Sequence, residues 1–316
     1  MMSNAILMAL VPVFFVLLLG YAAGRFHVVD NLHVDALNAL VMDFAVPASL
    51  FAATASASRS EMIEQVPLFL VLGITMSLLY AAWYLAARRL FKVSRPDASI
   101  QALTVGFPNL AGVGLPILTS VAGQAGAVPV AVALATGSVL ISPVTLIMAE
   151  MDAARSRGEE MAARQMLTAV GRAITKPVVL APVFGILFSV SDLSLDALAH
   201  ACLALIGSSA AGVALFLTGA ILSAQSFRLD WKIAAATVAA DVVRPLAAVA
   251  ITHVFPIAPD TARTAILLAA VPSGFFGILF AVNYRLDSAA VGSMVISSTG
   301  FSVATMAVAI AVLFPH

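Results

Sequence analysis

The sequence predicts an all-α integral membrane protein with ten transmembrane helices. They form two inverted five-helix repeats, with the fourth and ninth helices broken. Three observations predict this: an apolar composition, ten long apolar runs, and motifs that recur at a near-constant offset. The chain has 316 residues, 62 % hydrophobic and 10 % charged, with a mean hydropathy of +1.05. Soluble domains average about 25 % charged and about 45–50 % apolar residues, so these side chains cannot all hide in one soluble core. Lys and Arg number 16 against 16 Asp and Glu, which leaves no basic field for nucleic acid. Cys202 is the single cysteine and excludes an intrachain disulfide or a multi-cysteine metal site.

A spanning helix needs about 20 predominantly apolar residues. Ten segments qualify: 5–24, 37–55, 66–87, 98–121, 127–149, 174–191, 201–222, 232–255, 263–283 and 288–314. No Lys or Arg precedes the first, and it runs on to Arg25 without a small-residue cleavage site, so a span is expected rather than a signal peptide. The runs are continuous and do not alternate with period two, which excludes a β-barrel.

The charges in the connections set the orientation. With the N-terminus outside, 13 basic residues fall in cytoplasmic connections: Arg25; Arg88, Arg89, Lys92 and Arg95; Arg155, Arg157, Arg164, Arg172 and Lys176; Arg228 and Lys232; and Arg285. Only Arg59 and Arg263 fall outside. The positive-inside rule therefore places both termini outside. The chain divides into a first five-helix repeat (1–150), a cytoplasmic linker (151–173) and a second repeat (174–316). The charge-mixed linker is expected to be a short surface helix.

Three motif pairs relate the halves. Pro47-Ala48-Ser49-Leu50-Phe51 echoes Gly212-Val213-Ala214-Leu215-Phe216, and Gly106-Phe107-Pro108-Asn109 echoes Val271-Pro272-Ser273-Gly274. Ile141-Ser142-Pro143-Val144-Thr145 echoes Phe301-Ser302-Val303-Ala304-Thr305. The offsets are 165, 164 and 160 residues, so one register relates all three. An odd number of spans per half inverts the second copy, an architecture typical of secondary transporters.

The stretch Gly106-Phe107-Pro108-Asn109-Leu110-Ala111-Gly112-Val113-Gly114-Leu115-Pro116 and its partner Val271-Pro272-Ser273-Gly274-Phe275-Phe276-Gly277 would break a soluble helix. In a membrane such backbone is tolerated where it is buried in protein or lines a wet cavity. Helical rise places Pro108 and Pro272 each about 15 Å deep from opposite faces, near the midplane of a core about 30 Å thick. Half-helix N-termini with unpaired N–H groups would then face a common point, each with about +0.5 of an elementary charge, as an anion site. Asn109 and Ser273 would add side-chain donors, and Gly112, Gly114 and Gly274 would let a ligand approach the backbone. Leu110 and Phe275 complete the expected substrate-binding set. Ordinary proline kinks with glycine packing contacts are the alternative.

Val41-Met42-Asp43-Phe44-Ala45-Val46-Pro47, the Pro108–Pro116 stretch and Ser273-Gly274-Phe275-Phe276-Gly277 resemble the auxin efflux carrier family. Together with Ala214-Leu215-Phe216-Leu217-Thr218-Gly219 they are most similar to its bacterial malonate-transporter branch. The likeness runs over essentially the whole chain. It implies ten helices in two inverted repeats, a substrate site where helices four and nine cross, and an elevator-type motion of spans 3–5 and 8–10 against spans 1, 2, 6 and 7. A bacterial inner-membrane location follows from the same likeness. The long cytoplasmic loop of plant members is missing here, so their phosphorylation control is not implied.

Three charged residues fall well within the spans: Asp43, Asp241 and Arg244. Each costs about 2.5–3.5 kcal/mol near a helix centre on insertion scales. Asp43 is expected to bind a coupling proton, with an interhelical hydrogen bond as the alternative. Asp241 and Arg244, at i and i+3, are expected to form a self-neutralising structural pair. The alternative is a charge network in which Arg244 serves an acidic substrate or answers Asp43. His27, His33, His200, His253 and His316 lie near span ends and read as interfacial. Ser138, Ser142, Ser297, Ser298, Thr299 and Thr305 flank the crossover, where helix-packing hydrogen bonds account for most of them and a cation site for some.

No phosphate-binding Walker A loop and no His-Glu-x-x-His occur, and no His is placed to serve a membrane serine protease, so enzymes are excluded as the expectation. No charged ring suits a channel. What remains is a secondary carrier of a small carboxylate. Malonate or a related dicarboxylate is the first candidate, a sodium-coupled or uncoupled carrier of an auxin-like monocarboxylate the alternative, and an anion channel the lesser one. The expected coupling ion is a proton, with sodium as its rival, and no metal or organic cofactor is needed. The lipid bilayer and a second copy of the chain, as a homodimer, are the expected partners.

Overall fold

Helices make up the regular structure, and no β-strand occurs among the described residues, which in this computed structural model are 2–156, 168, 171, 175–283 and 286–314. In chain order the elements are α1 (Met2–Arg25), α2 (Asp35–Ser56), α3 (Arg59–Arg89), α4 (Arg95–Gly106) and α5 (Leu110–Ala122). Next come α6 (Ala127–Leu140), α7 (Ser142–Ser156), α8 (Pro177–Val190), α9 (Ala197–Gly207) and α10 (Ala210–Ser223). The chain closes with α11 (Trp231–Val254), α12 (Pro259–Ala270), α13 (Phe276–Asn283) and α14 (Ser288–Leu313). Most of the linker expected over 151–173 lies outside the described residues, as do Arg285 and His316.

Six helices among the described residues are long and apolar enough to cross a bilayer. They are α2, α3, the α6–α7 run Ala127–Met148, the α9–α10 run Ala197–Ser223, α11 and α14. Shorter apolar helices lie at Leu10–Arg25, Leu110–Ala122 and Pro177–Val190. Many large apolar side chains are exposed, among them Phe15, Leu18, Leu205, Leu246 and Val312. Patches of that extent suit lipid rather than water. The chain is a multi-pass integral membrane protein.

Prolines explain the local geometry of three helices. α2, α5 and α11 each contain a widened π-helical turn, at Leu40–Ala45, Leu110–Gly114 and Ala239–Val243. Each is followed within two residues by a proline: Pro47, Pro116 and Pro245. Proline has no N–H to give the carbonyl four residues back, and its ring presses on that carbonyl. Those carbonyls belong to Asp43, Gly112 and Asp241. The ladder shifts by one residue, with Val46 N–H bonded to Val41 O, Leu115 N–H to Leu110 O and Arg244 N–H to Ala239 O. Such bulges concentrate at functional sites.

The helices pack as two groups. α1 lies along α10, and α2 lies along α8 and α9. In the other group α3 packs on α4 and α6, α11 on α12 and α14, and α13 on α4 and α14. The groups meet where α10 packs on the π turn of α5 and on α14, where α2 and α8 pack on α6, and where α1 packs on α5 and α14. Gly20 and Gly219 set the closeness of α1 and α10. A Cβ on Gly219 would lie 2.0 Å from Leu17 O, and one on Gly20 2.1 Å from Phe216 O. Close backbone approach through small residues is how membrane helices gain packing without a hydrophobic driving force. Gly219→Ala is therefore expected to destabilise by about 1–3 kcal/mol through overpacking. Gly212→Ala on the same helix, where a Cβ would meet nothing within 4 Å, should not destabilise. Thermal midpoints of the detergent-purified variants check this.

Candidate functional site at the helix crossover

The two breaks are joined to each other. α4 ends at Gly106, and Pro108 makes an isolated antiparallel bridge with Ser273. Asn109 N–H donates to Pro272 O at 2.8 Å, and Gly274 N–H donates to Phe107 O at 3.2 Å. Proline at 108 and at 272 stops each helix, and the backbone groups freed on one break are satisfied by the other. This is the membrane requirement that irregular backbone be paired within protein. Gly274 suits the close approach, since a Cβ there would sit 3.3 Å from Phe107 O.

The expectation of unpaired N–H donors converging on a point needs revision. The N–H groups of Asn109, Ser273 and Gly274 are all engaged within the protein, and so is that of Gly112, which donates to Asn109 Oδ1 at 3.0 Å. They tie the crossover together instead of standing open. Asn109 thereby caps the π turn of α5, and its Nδ2 amide makes no hydrogen bond to any described residue. Gly112 makes room for this cap, because a Cβ would lie 2.6 Å from Asn109 Oδ1 and 2.9 Å from Thr218 Oγ1 of α10. Gly114 is under no such constraint, its nearest neighbour being at 3.4 Å.

Pro108, Asn109, Leu110, Gly112, Gly114, Pro272, Ser273, Gly274 and Phe275 are all buried, so the crossover is closed to solvent here. Phe107, Phe276 and Phe275 stack across it, with ring centroids 5.8 and 5.4 Å apart. A cavity of about 770 Å³ lies nearby, between α2, α9 and α10 on one side and α5 and α6 on the other. Its wall carries Ser49, Gln65, Thr119, His200 and Ser208 and includes Leu115, the residue after the π turn of α5. Glu61 also lines it, held in a capping box with Ser58.

Arg244 is the largest fully buried side chain, at 0 % exposure. Its Nε donates to Ala269 O at 2.8 Å, Nη1 to Val105 O at 2.7 Å, and Nη2 to Val271 O. Val105 lies in the last turn of α4, and Ala269 and Val271 lie at the end of α12. One guanidinium thus caps the C-terminal ends of both half-helices entering the crossover. The last carbonyls of a helix have no intrahelical partner and carry about −0.5 of an elementary charge. Two such ends balance one Arg.

Asp241 and Arg244 were expected to neutralise each other. No ion pair joins them among the described residues. The two charges act on each other across the π turn at Ala239–Val243 without direct contact. Asp241 turns instead to Ser298 of α14, whose hydroxyl donates to Oδ1 at 2.7 Å. The same Ser298 Oγ accepts Ser273 N–H at 2.9 Å. Asp43 is placed differently. Its side chain is exposed on the π turn of α2, in an apolar groove with Leu40, Phe44, Phe51 and Leu203, and its charge acts on Lys176 at the head of α8.

Sequence reasoning missed the three carbonyls that Arg244 holds, because backbone acceptors have no residue signature. It also placed Ser298 among general packing hydroxyls. Removing the guanidinium leaves those carbonyls orphaned in a dry site. Arg244→Ala is expected to cost about 3–5 kcal/mol, as for breaking a buried charge interaction. Arg244→Lys should recover part of this, since an ammonium lacks the planar fork that reaches three carbonyls. Thermal unfolding in detergent ranks the three proteins, and equal midpoints would contradict the capping role.

Comparison with known proteins fits this architecture. Residues 5–310 match the family model described as Membrane transport protein (Mem_trans). Relatives include "Uncharacterized transporter YfdV" of Escherichia coli strain K12 and of Shigella flexneri, each 26 % identical over 296 residues, covering 93 % of both chains. The chain is a membrane transporter that belongs to the Mem_trans, or auxin efflux carrier, family.

Proposed function

We propose that the protein is a secondary carrier of a small carboxylate, malonate or a related dicarboxylate, with its substrate site at the crossover and no enzymatic activity. The observation that carries this reading is the hydrogen-bonded crossing of two broken helices, Pro108 bridged to Ser273. Paired interruptions in corresponding positions of two halves are the structural pointer to a transporter site. The N-terminal ends of α5 and α13 begin at these breaks, and each contributes about +0.5 of an elementary charge. The free Nδ2 of Asn109 supplies a hydrogen-bond donor for a carboxylate. The cavity beside Leu115 supports access from the side that holds the α2–α3 connection, which the charge distribution puts outside.

In this reading the halves 1–150 and 174–316 are inverted repeats of five helices each, in a bacterial inner membrane with both termini periplasmic. The group containing α3–α7 and α11–α14 moves elevator-fashion against α1, α2 and α8–α10. The division of the packing into those two groups supports it. Anion uptake against a negative-inside potential needs a driving ion, and a proton is proposed, with Asp43 or Asp241 as the carboxylate that takes it up. Homodimer formation belongs to the same proposal.

Proteoliposomes containing the purified protein should accumulate labelled malonate when a pH gradient is imposed. Accumulation driven by a sodium gradient alone would assign the other ion. Asn109→Ala should lower malonate uptake about 100-fold or more, the upper range for losing a buried hydrogen bond to a charged group. Unchanged malonate affinity in that variant would move the site away from the crossover.

A further inference from the structure

We propose that Asp241 is the proton-coupling residue of this carrier, and that Ser298 transmits its protonation state to the crossover backbone at Ser273. The proposal rests on the carboxylate-carrier reading and deepens it, preferring Asp241 to Asp43. Asp241 is 1 % exposed, and only one of its carboxylate oxygens is satisfied. Oδ1 accepts from Ser298, while Oδ2 is buried without a hydrogen-bond partner. An ionised carboxylate with an empty oxygen in a dry site is costly, and buried polar groups are otherwise paired.

No ion pair reaches this carboxylate among the described residues. The π turn that holds Asp241 packs against α3, α4, α12 and α14. Tyr80 on α3 is engaged by Ser99 and Thr145, and Tyr84, Arg88 and Arg89 lie further along toward its end. Arg95 and Asp97 sit at the start of α4, Asp260 and Arg263 pair at the start of α12, and Asp287 precedes α14. On α11 itself Lys232 and His253 stand near the two ends. The one charge that acts on Asp241 is Arg244. Its donors are committed to Val105, Ala269 and Val271, whose helix ends together offset about one unit of positive charge.

Two hydrogen bonds lead from the carboxylate to the bridge between the breaks. When Asp241 is ionised, the Ser298 hydroxyl donates to it and its oxygen accepts Ser273 N–H. When Asp241 takes up a proton from hydronium on its unpartnered Oδ2, Oδ1 loses its negative charge and becomes a weaker acceptor for the Ser298 hydroxyl. The bond to Ser273 no longer has a carboxylate polarising it, and bonds in such chains strengthen or weaken together. Ser273 is the residue that bridges Pro108, so one proton alters the tie that holds the broken helices together.

Asp43 lacks this connection. It faces an apolar groove, its charge acts on Lys176, and no hydrogen bond reaches it from a described residue. Two measurements on the full chain in liposomes test the assignment. Infrared difference spectra between high and low pH should show a protonated-carboxyl C=O band that Asp241→Asn removes and Asp43→Asn keeps. Ser298→Ala should keep the band but shift its frequency and titration midpoint. A band that persists in Asp241→Asn, or disappears in Asp43→Asn, overturns the proposal, as does the absence of any titrating carboxyl in the parent protein.

In transport, Asp241→Asn should reduce the stimulation of malonate uptake by an imposed pH gradient by about tenfold or more, within the usual range for a coupling free energy. Ser298→Ala should reduce it while leaving Asp241 in place, which covers the case in which Asp241→Asn does not fold. Full pH-gradient stimulation in either variant overturns the proposal. If the parent protein carries no malonate, the substrate reading fails, and the infrared result still decides whether Asp241 binds the proton.

Discussion

The geometry of this protein depends on one buried cation joining two helix ends. α4 and α12 lie far apart in the chain, and both stop deep in the buried interior. Each stop exposes carbonyls that neither lipid nor water can satisfy there. Arg244 takes one from α4 and two from the end of α12 in a single planar fork. Placing a guanidinium at that depth is unfavourable by about 2.5–3.5 kcal/mol on insertion scales. The arrangement is stable because the acceptors are charge-complementary helix ends, so both unfavourable groups are resolved together.

Once those ends are fixed, the rest of the site follows. The strands of backbone beyond them, Phe107–Asn109 and Pro272–Gly274, bond to each other, so the break is ordered without solvent. α5 and α13 then start from this tie with their N-terminal ends at the crossover. The negative helix ends are met by Arg244, while the N–H groups at the breaks are met by the facing backbone, by Ser298 and by Asn109. On the π turn before Pro116 Gly112 makes room for α10, and on the one before Pro245 Asp241 reaches α14.

Much of this was legible in the sequence because it rests on proline, glycine and charge position. Pro108 and Pro272 marked the breaks, and apolar run length marked the helices around them. The motif Gly106-Phe107-Pro108-Asn109 against Val271-Pro272-Ser273-Gly274 identified which breaks meet. The fate of the freed N–H groups was not legible, because hydrogen bonding between two main chains leaves no trace in residue types. The same holds for the carbonyls of Val105, Ala269 and Val271. Asp241 and Arg244 act on each other through charge, but the separate hydrogen-bond partners that each takes have no signature in their spacing. Asp43 carried the family motif, yet it lies on an exposed face.

On the proposed reading, the crossover binds a small carboxylate through charge and hydrogen bonding. Ligand-dependent thermal stability of the purified protein tests it most directly, since a ligand that binds only the folded state raises the unfolding midpoint with its concentration. The account predicts a saturating rise with malonate, and none with the uncharged diamide of the same shape at equal concentration and ionic strength. Equal shifts from both compounds, or none from any small carboxylate, would contradict it.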